Sequence, residues 1–346
     1  MEDIAEESID FVIPWVNGND TEWQREKNEY LKREKQYIDS ADIRYRDWGL
    51  LKYIFRGIEA YTPWVHKVYF ITNGQIPSWM NSQADKLVWV KHQDYIPAEF
   101  LPTFSANPIE LAVHRIEGLS EQFVYFNDDM FLLRPLSKTH FFRDGIPVMN
   151  PNASFLVPVK GFQQFSHMML NNVMIINSHF SARSVIGGNW INWLSPFRVG
   201  GRTAAKNLFT FMTKRFLGFT NPHIPAPYRK DVIKEVWEQE EEFLLRTMKN
   251  RFRSNDDVTQ YLFYDWHLVT EKFVPEKKEK IGKYYSVLNS SDENERMINA
   301  IKKQRYPMIC INDVENNLSA EDTERLIERI ADAFESILPN KSCFEK

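Results

Sequence analysis

Two carboxylates stand side by side in Asn127-Asp128-Asp129, directly after the apolar run QFVYF at 122–126. Adjacent acids leaving a buried strand repel each other unless a cation or basic groups sit between them. A hard divalent ion, Mg²⁺ or Mn²⁺, answers that need, keeping waters and substrate phosphate oxygens as its other ligands. A solvated turn with ordinary Asn and Asp chemistry is the alternative. A second group, Arg251-Phe252-Arg253-Ser254-Asn255-Asp256-Asp257, offers guanidinium forks that match phosphate oxygens in pairs. It also fits a helix start with its arginines on the surface. A third, Asn221-Pro222-His223-Ile224-Pro225, holds one imidazole in a rigid loop, where it is suited to general acid–base work. Lone loop histidines are, however, commonly surface residues. The fourth, Ile309-Cys310-Ile311-Asn312-Asp313, repeats the pattern of an apolar strand followed by Asn-Asp. None of the four decides a function separately.

The elements that must position these groups alternate. Residues 9–16 (IDFVIPWV) read as a strand closed by the polar turn Asn17-Gly18-Asn19-Asp20. Residues 21–40 read as a solvated helix or an ordering loop, and 47–60 as a helix with Leu50, Leu51, Ile54, Phe55 and Ile58 on one face. Strands follow at 67–72, closed by Asn73-Gly74, at 87–90 and at 122–126, with a helix from Asn107 to about Gly118 between the last two. Alternating strands and helices predict an α/β fold with a mostly parallel sheet flanked by helices. In such sheets ligands sit at the carboxyl ends of the strands, so the turns after strands one, two and four should converge at one edge. Further helices are predicted over 203–219, 228–250 and 258–269, with a charged linker over 271–283. A last helix is capped by Ser319, with Asp322 three residues on.

The charge distribution is uneven. The chain has 346 residues and a net charge of −4, yet the 86 residues from 145 to 230 contain no Asp or Glu and nine Lys or Arg. Gly and Pro together number 30, so collagen-like and low-complexity classes are excluded. Cys310 and Cys343 cannot form a disulfide framework or a cysteine zinc site, which fits a reducing, cytoplasmic compartment. The acidic start has no apolar core of a secretion signal, and no stretch of about 18 apolar residues exists to span a bilayer. P-loop, dinucleotide-fingerprint and HExxH motifs are absent. A net-acidic chain whose basic part is also apolar argues against nucleic acid.

The islands resemble, in order, the conserved regions of the Stealth proteins. These are bacterial capsule and cell-wall hexose-1-phosphate transferases, and their animal relative is the catalytic subunit of the lysosomal-enzyme N-acetylglucosamine-1-phosphotransferase. IDFVIPWVNGND (9–20) is similar to the first region. The block from Arg44 to Leu133, with RYRD, PTFSANPIE and NDDMFL, is similar to the second. NPHIPAPYRKDV with RFRSNDDV resembles the third, and ICINDVE the fourth. Residues 150–220 resemble nothing in the family. The resemblance implies transfer of a sugar-1-phosphate from a nucleotide-sugar, a UDP-hexose or UDP-N-acetylhexosamine, to a hydroxyl of a polysaccharide or glycolipid, with release of the nucleoside monophosphate. It implies a GT-A-like nucleotide-sugar-binding core.

Carried over by position, Asn17, Gly18, Asp20, Asn73 and Gly74 would hold the nucleotide end. Arg44 and Arg115 would lie near the diphosphate, and Asn312 would contact substrate. Asp128, Asp129 and Asp313 would bind Mg²⁺ or Mn²⁺. Arg253 would clamp the phosphoryl group, and His223 or Asp129 would take the acceptor proton. The expected division is a nucleotide-sugar half at 1–144, a largely helical acceptor- or membrane-facing insertion at 145–230, and a region at 231–346 that completes the site. An amphipathic helix around 209–219 could lie on an anionic inner membrane leaflet, or its aromatics could pack on the core. An ordinary glycosyltransferase releasing the nucleoside diphosphate, or a non-catalytic glycan- or nucleotide-binding module, remains an alternative.

Overall fold

The computed structural model describes residues 8–33, 45–157, 163–287, 291–313 and 318–346. Strand β1 (Ile9–Pro14) sends Phe11 and Ile13 to one side and Val12 to the other, the two-residue alternation of an extended chain. Both sides are buried, so the run is apolar except for Asp10, whose buried carboxylate accepts the Lys67 and Ser120 N–H groups at 3.0 and 2.7 Å. Helix α1 (Thr21–Leu31) starts at Asp20, whose carboxylate accepts the Trp23 N–H at 2.8 Å. Helix α2 (Leu51–Tyr61) packs Ile54, Phe55 and Ile58 into the core shared with Phe11 and Phe70.

Strands β2 (Val68–Thr72) and β3 (Leu87–Lys91) follow, then α3 (Ala106–Leu111), capped by Ser105, and β4 (Gln122–Tyr125). The four strands are parallel in the order β3-β2-β1-β4. The order reverses between β1 and β4, which opens a crevice at their carboxyl ends.

Beyond β4 the chain leaves the sheet through Asn127-Asp128-Asp129 into β5 (Met130–Leu132), then forms a hairpin of β6 (Phe142–Arg143) and β7 (Ile146–Met149). Five helices follow: α4 (Gln163–His179), α5 (Ala182–Gly188), α6 (Trp190–Leu194), α7 (Pro196–Val199) and α8 (Gly201–Thr213). Strand β8 (Ala226–Arg229) returns to the main sheet, antiparallel to β4. Helices α9 (Lys230–Lys249) and α10 (Tyr261–Val269) cover the second face with α3. Strand β9 (Val274–Pro275) pairs with β7 and leads through α11 (Lys278–Ile281) to β10 (Lys283–Val287). After α12 (Ser291–Lys302), β11 (Met308–Asp313) lies between β10 and β5 in a second sheet. Helix α13 (Ala320–Glu335) begins at the Ser319 cap, whose Oγ accepts the Asp322 N–H at 3.0 Å.

The chain is thus a mixed α/β protein. No helix among the described residues is long and apolar enough to cross a membrane. Several elements differ from the sequence expectation. The helix predicted over 203–219 stops at Thr213, because Lys214 turns left-handed at φ 64°; Phe216 and Phe219 then fold back inside. The helix predicted from Asn107 to Gly118 ends at Leu111 and gives way to a single tighter turn. The charged stretch 271–283 contains β9, α11 and the start of β10. The acid-free stretch does not stand apart, since its last strand completes the main sheet.

Candidate active site

Asp129 is the hub. Its backbone carbonyl accepts the Ile311 N–H at 2.9 Å, which stitches it to β11. Its Oδ2 accepts from Asn312 Nδ2 and from the Cys310 thiol, each at 3.2 Å, and lies 3.5 Å from His223 Nε2. His223 is set on the loop entering β8, and the Tyr125–Ala226 pairing holds that loop at the carboxyl end of β4. On its other side His223 Nδ1 lies 2.7 Å from the Tyr261 hydroxyl, at the start of α10. Asn127 Nδ2 is 3.4 Å from Nε2. Tyr284 of β10 donates to Asn312 Oδ1 at 3.1 Å and so fixes which way that amide points. Residues more than 180 positions apart thereby meet at the end of one strand.

The electrostatics follow from this packing. Burial opposes the charged form of both partners, yet the pair holds. His223 with the Asn312 and Cys310 donors keeps Asp129 below the usual carboxylate value, and Asp129 keeps His223 above its ordinary one. Asp128 is different. The residue lies at the surface, but the surrounding protein desolvates its carboxyl and Asp129 and Asp47 repel it, so it is pushed up to about 7. The Cys310 thiol is driven well up by burial and by Asp129, so it stays a proton donor.

Arg253 lies within electrostatic reach of His223, Glu110 and Asp257. Glu110, on α3, is pushed up to about 7 by burial, against the pull of Arg253 and His223. Asp257 ties down the loop that carries Arg253. Its Oδ2 accepts from Asn107 Nδ2 at 2.9 Å and from the Ser254 N–H at 3.0 Å, and its Oδ1 accepts from Asn250 Nδ2 at 2.7 Å.

The turns after β1 and β2 also meet. Gln75 bridges them, accepting the Asn17 N–H at 2.8 Å and donating to the Asn17 carbonyl at 3.3 Å. Gly18 is required where the chain crosses itself, because a Cβ there would collide with the Tyr45 carbonyl oxygen. Gly74 sits at φ 112°, open to few other residues. The hollow beside these turns sets Asp20, Glu22, Glu26 and Glu29 against the one cation Arg25, so its wall is acidic on balance.

Asp313 and Arg115 have their partners elsewhere. Asp313 is engaged by Arg46 at 2.6 Å and by the Trp48 indole N–H at 2.9 Å, so its carboxylate anchors the segment entering α2. Arg115 lies over the Trp237 ring at 4.7 Å and shares its neighbourhood with His114, Lys230 and Lys234, toward the amino ends of the strands. The sequence expectation puts Arg115 near the diphosphate; in the structure its ring partner is Trp237. Arg44 falls outside the described residues.

Other residues of the corner are absent from the sequence-derived set. Glu110 sits one helical turn before the inward Val113, which is the signal for a buried acid. Cys310 and Tyr261 lie within apolar runs that carry no such signal.

A metal fits on the oxygen side of this corner. Asp129 Oδ1 is buried without a hydrogen-bond partner, and Asp129 and Asp47 both repel a charge on Asp128. Asp129, His223 and Cys310 also offer ligand atoms within 4.8 Å of one another, a grouping that could hold a metal ion.

Comparison with known proteins agrees with the chain's own features. The models of Stealth protein conserved regions 1 and 2 match residues 7–35 and 44–148. A capsular polysaccharide phosphotransferase WcwK of Streptococcus pneumoniae is 38% identical over 341 residues, 98% of each chain. The chain belongs to the Stealth family. Other Stealth relatives include a receptor polysaccharide phosphotransferase WefC of Streptococcus gordonii, 37% identical across 98% of this chain and 99% of that one. An exopolysaccharide phosphotransferase cps2G of Lactiplantibacillus plantarum is 37% identical across 98% and 96%. The solved glycosyltransferase GlyE of Streptococcus pneumoniae covers 93% of this chain and 83% of its own at 10% identity and a TM-score of 0.23, too distant to carry an argument. Within the matched Stealth regions lie Asn17, Asn73, Glu110 and Asp129, whereas His223, Arg253 and Asn312 lie beyond them.

Proposed function

We infer that this protein is a polysaccharide phosphotransferase that moves a sugar-1-phosphate from a nucleotide-sugar to a hydroxyl of a polysaccharide or glycolipid. The observation that carries the reading is the meeting of Asp129, His223 and Asn312, from three distant segments, at the carboxyl end of β4, with Arg253 beside them. The matched relatives bear names of the same class. The donor lies across the crevice between β1 and β4, in the manner of a GT-A-like nucleotide-sugar site. Its uncharged nucleoside end rests on the Asn17 and Asn73 turns, since the acidic wall there would repel phosphate. Its diphosphate faces Arg253.

In the reaction the acceptor oxygen bonds to the sugar-linked phosphorus, and the bridging oxygen leaves with the nucleoside monophosphate. His223 Nε2 takes the acceptor proton. Asp129 stabilises the imidazolium that forms, and Tyr261 holds Nδ1 so that the ring keeps its orientation. Arg253 meets charge building on the transferring phosphoryl oxygens. Asp128 and Asp129 would hold a Mg²⁺ or Mn²⁺ ion, which when bound neutralises charge on the diphosphate. Asp313 is left out of that set, because Arg46 and the Trp48 indole already hold its Oδ2 and Arg46 offsets its charge, although its Oδ1 is buried without a partner. We place the reaction in the cytoplasm, where nucleotide-sugars and reduced cysteines belong.

A donor screen with Mg²⁺, reading the released nucleotide by chromatography, tests the proposal. The expected product from a UDP-sugar is UMP. Release of UDP would instead identify an ordinary glycosyltransferase, and no turnover of any nucleotide-sugar would identify a binding module.

A further inference from the structure

Helix α8 is built inside out. Its buried positions are Thr203, Ala204, Asn207 and Thr210, whereas Leu208, Phe209 and Met212 face outward. Asn207 explains how a polar seam can be the inner one. Its Nδ2 donates to the Pro151 and Trp193 carbonyls, both at 2.7 Å, and its Oδ1 accepts the Ala153 N–H at 2.9 Å. The apolar side is thereby turned to solvent, and neighbouring elements extend it. Phe155 packs edge-on against Phe209 with ring centroids 5.1 Å apart. Helices α6 and α7 pack on α8 and expose Trp190 and Phe197, the latter 88% accessible. Soluble monomers rarely leave so continuous an apolar surface open.

Cations rim it. Arg183, Arg198, Arg202, Lys206, Lys214 and Arg215 are all exposed, and among the described residues none of the six pairs with a carboxylate. The acid-free sequence supplies no acid nearby in the chain to pair with them.

We propose that the outer face of α6–α8 is a docking surface for an anionic lipid bilayer, with Trp190, Phe197, Leu208, Phe209 and Met212 entering the interface and the six cations meeting the headgroups. Apolar side chains flanked by Lys and Arg are the composition of a segment lying in the plane of a membrane surface. Charge complementarity selects this occupant. A second copy of the chain docking by two-fold symmetry would set the same unpaired cations against themselves. Protein interface cores are also depleted in lysine, which a lipid surface is not.

Co-sedimentation of the full chain with lipid vesicles tests the proposal and uses no turnover measurement, so its failure leaves the phosphotransfer reading untouched. With vesicles containing one quarter phosphatidylglycerol at low salt, binding should exceed that to pure phosphatidylcholine at least tenfold, and should fall at high salt. Replacing Leu208, Phe209 and Met212 together by Gln should reduce binding at least tenfold with an unchanged melting temperature, since these side chains are already exposed. Arg202→Gln and Lys206→Gln should each cost about fivefold. Equal pelleting with both vesicle types, or full binding by the triple variant, would overturn the proposal. So would sedimentation velocity showing a dimer that the triple variant breaks, because a second copy would then cover the face.

Discussion

At the end of β4 polar side chains are drawn inside: Asp129, His223, Asn312 and the Cys310 thiol share one partly enclosed corner, each with a partner. On α8 the apolar side chains are pushed outside while Asn207 and Thr210 are hidden. Both regions depart from the rule that grease goes in and charge goes out. They do so by the same device, an inward polar group that several hydrogen bonds from distant segments hold in place. At β4 that group is the reactive centre. On α8 it is scaffolding, and the exposed face is the part left free to act. Departures from consistent patterning are expected where a protein works rather than merely folds.

The sharpest way to break the comparison is at the polar corner. His223→Ala should slow nucleotide release about 10³-fold or more, because the acceptor proton loses its recipient. Asp129→Asn should slow it about 10²-fold or more through loss of the charge facing the imidazolium. Both variants should keep their circular dichroism spectra. Turnover close to that of the unaltered chain in both would show that the corner is structural, like Asn207.

Next in size is the scaffold itself. Asn207→Leu strands two carbonyls and one N–H in a buried site, at about 1–3 kcal/mol each. Partial relaxation should leave a loss of about 3–4 kcal/mol in denaturant unfolding. Phe209→Gln, two positions along the same helix, should stay within about 0.5 kcal/mol. Equal losses at both positions would mean that α8 is packed the ordinary way round.

Asp257 joins the two themes, since it is a buried carboxylate that serves as scaffold for Arg253. Burial pushes it up to about 6, above the ordinary value of an unfolded chain. The folded state therefore holds the extra proton between about pH 4 and pH 6. The stability linked to this group is fully present below pH 4 and is lost as pH rises through 6, by up to about 3 kcal/mol. Asp257→Asn should flatten that part of the stability–pH curve, measured by urea midpoints across the range. An unchanged slope would mean that the three hydrogen bonds hold the carboxylate ionised throughout.

Much of the polar corner is legible in the sequence, because strands that end in polar turns announce where a parallel sheet presents its chemistry. Asn127-Asp128-Asp129 and Ile309-Asp313 are found that way, and His223 by its type. The roles of Cys310 and Tyr261 are harder to read, since the apolar neighbours of each dominate the pattern, and Glu110 shows only the helical spacing of an inward position. The α8 face misleads for a related reason. A helical wheel shows that Leu208, Phe209 and Met212 cluster, but not which way the cluster points. The direction is set by Asn207, whose three partners lie at Pro151, Ala153 and Trp193, and such distant hydrogen bonds leave no local periodicity. The end of the helix at Lys214 is equally hidden, for a lysine carries no preference for the left-handed region it occupies.

The smallest expected effect is at Arg115, and it tests how far position within a matched region can be trusted. By sequence it stands five residues after Glu110, close enough to share the crevice. But α3 ends at Leu111, and the next turn carries Arg115 down the flank of α9 to lie on Trp237, whose indole N–H is fixed to the Leu111 carbonyl at 2.8 Å. Its charge acts on His114, near Lys230 and Lys234, rather than on Asp129 or His223. An exposed guanidinium lying on a buried indole adds about 0.5–1 kcal/mol to stability and little to a distant phosphate in water. Arg115→Ala should therefore leave nucleotide release within about twofold of the unaltered chain, while Arg253→Ala lowers it by about 10²-fold. A large loss at Arg115 would mean that the donor reaches past the strand ends to the flank of α9, and the crevice between β1 and β4 would no longer bound the site.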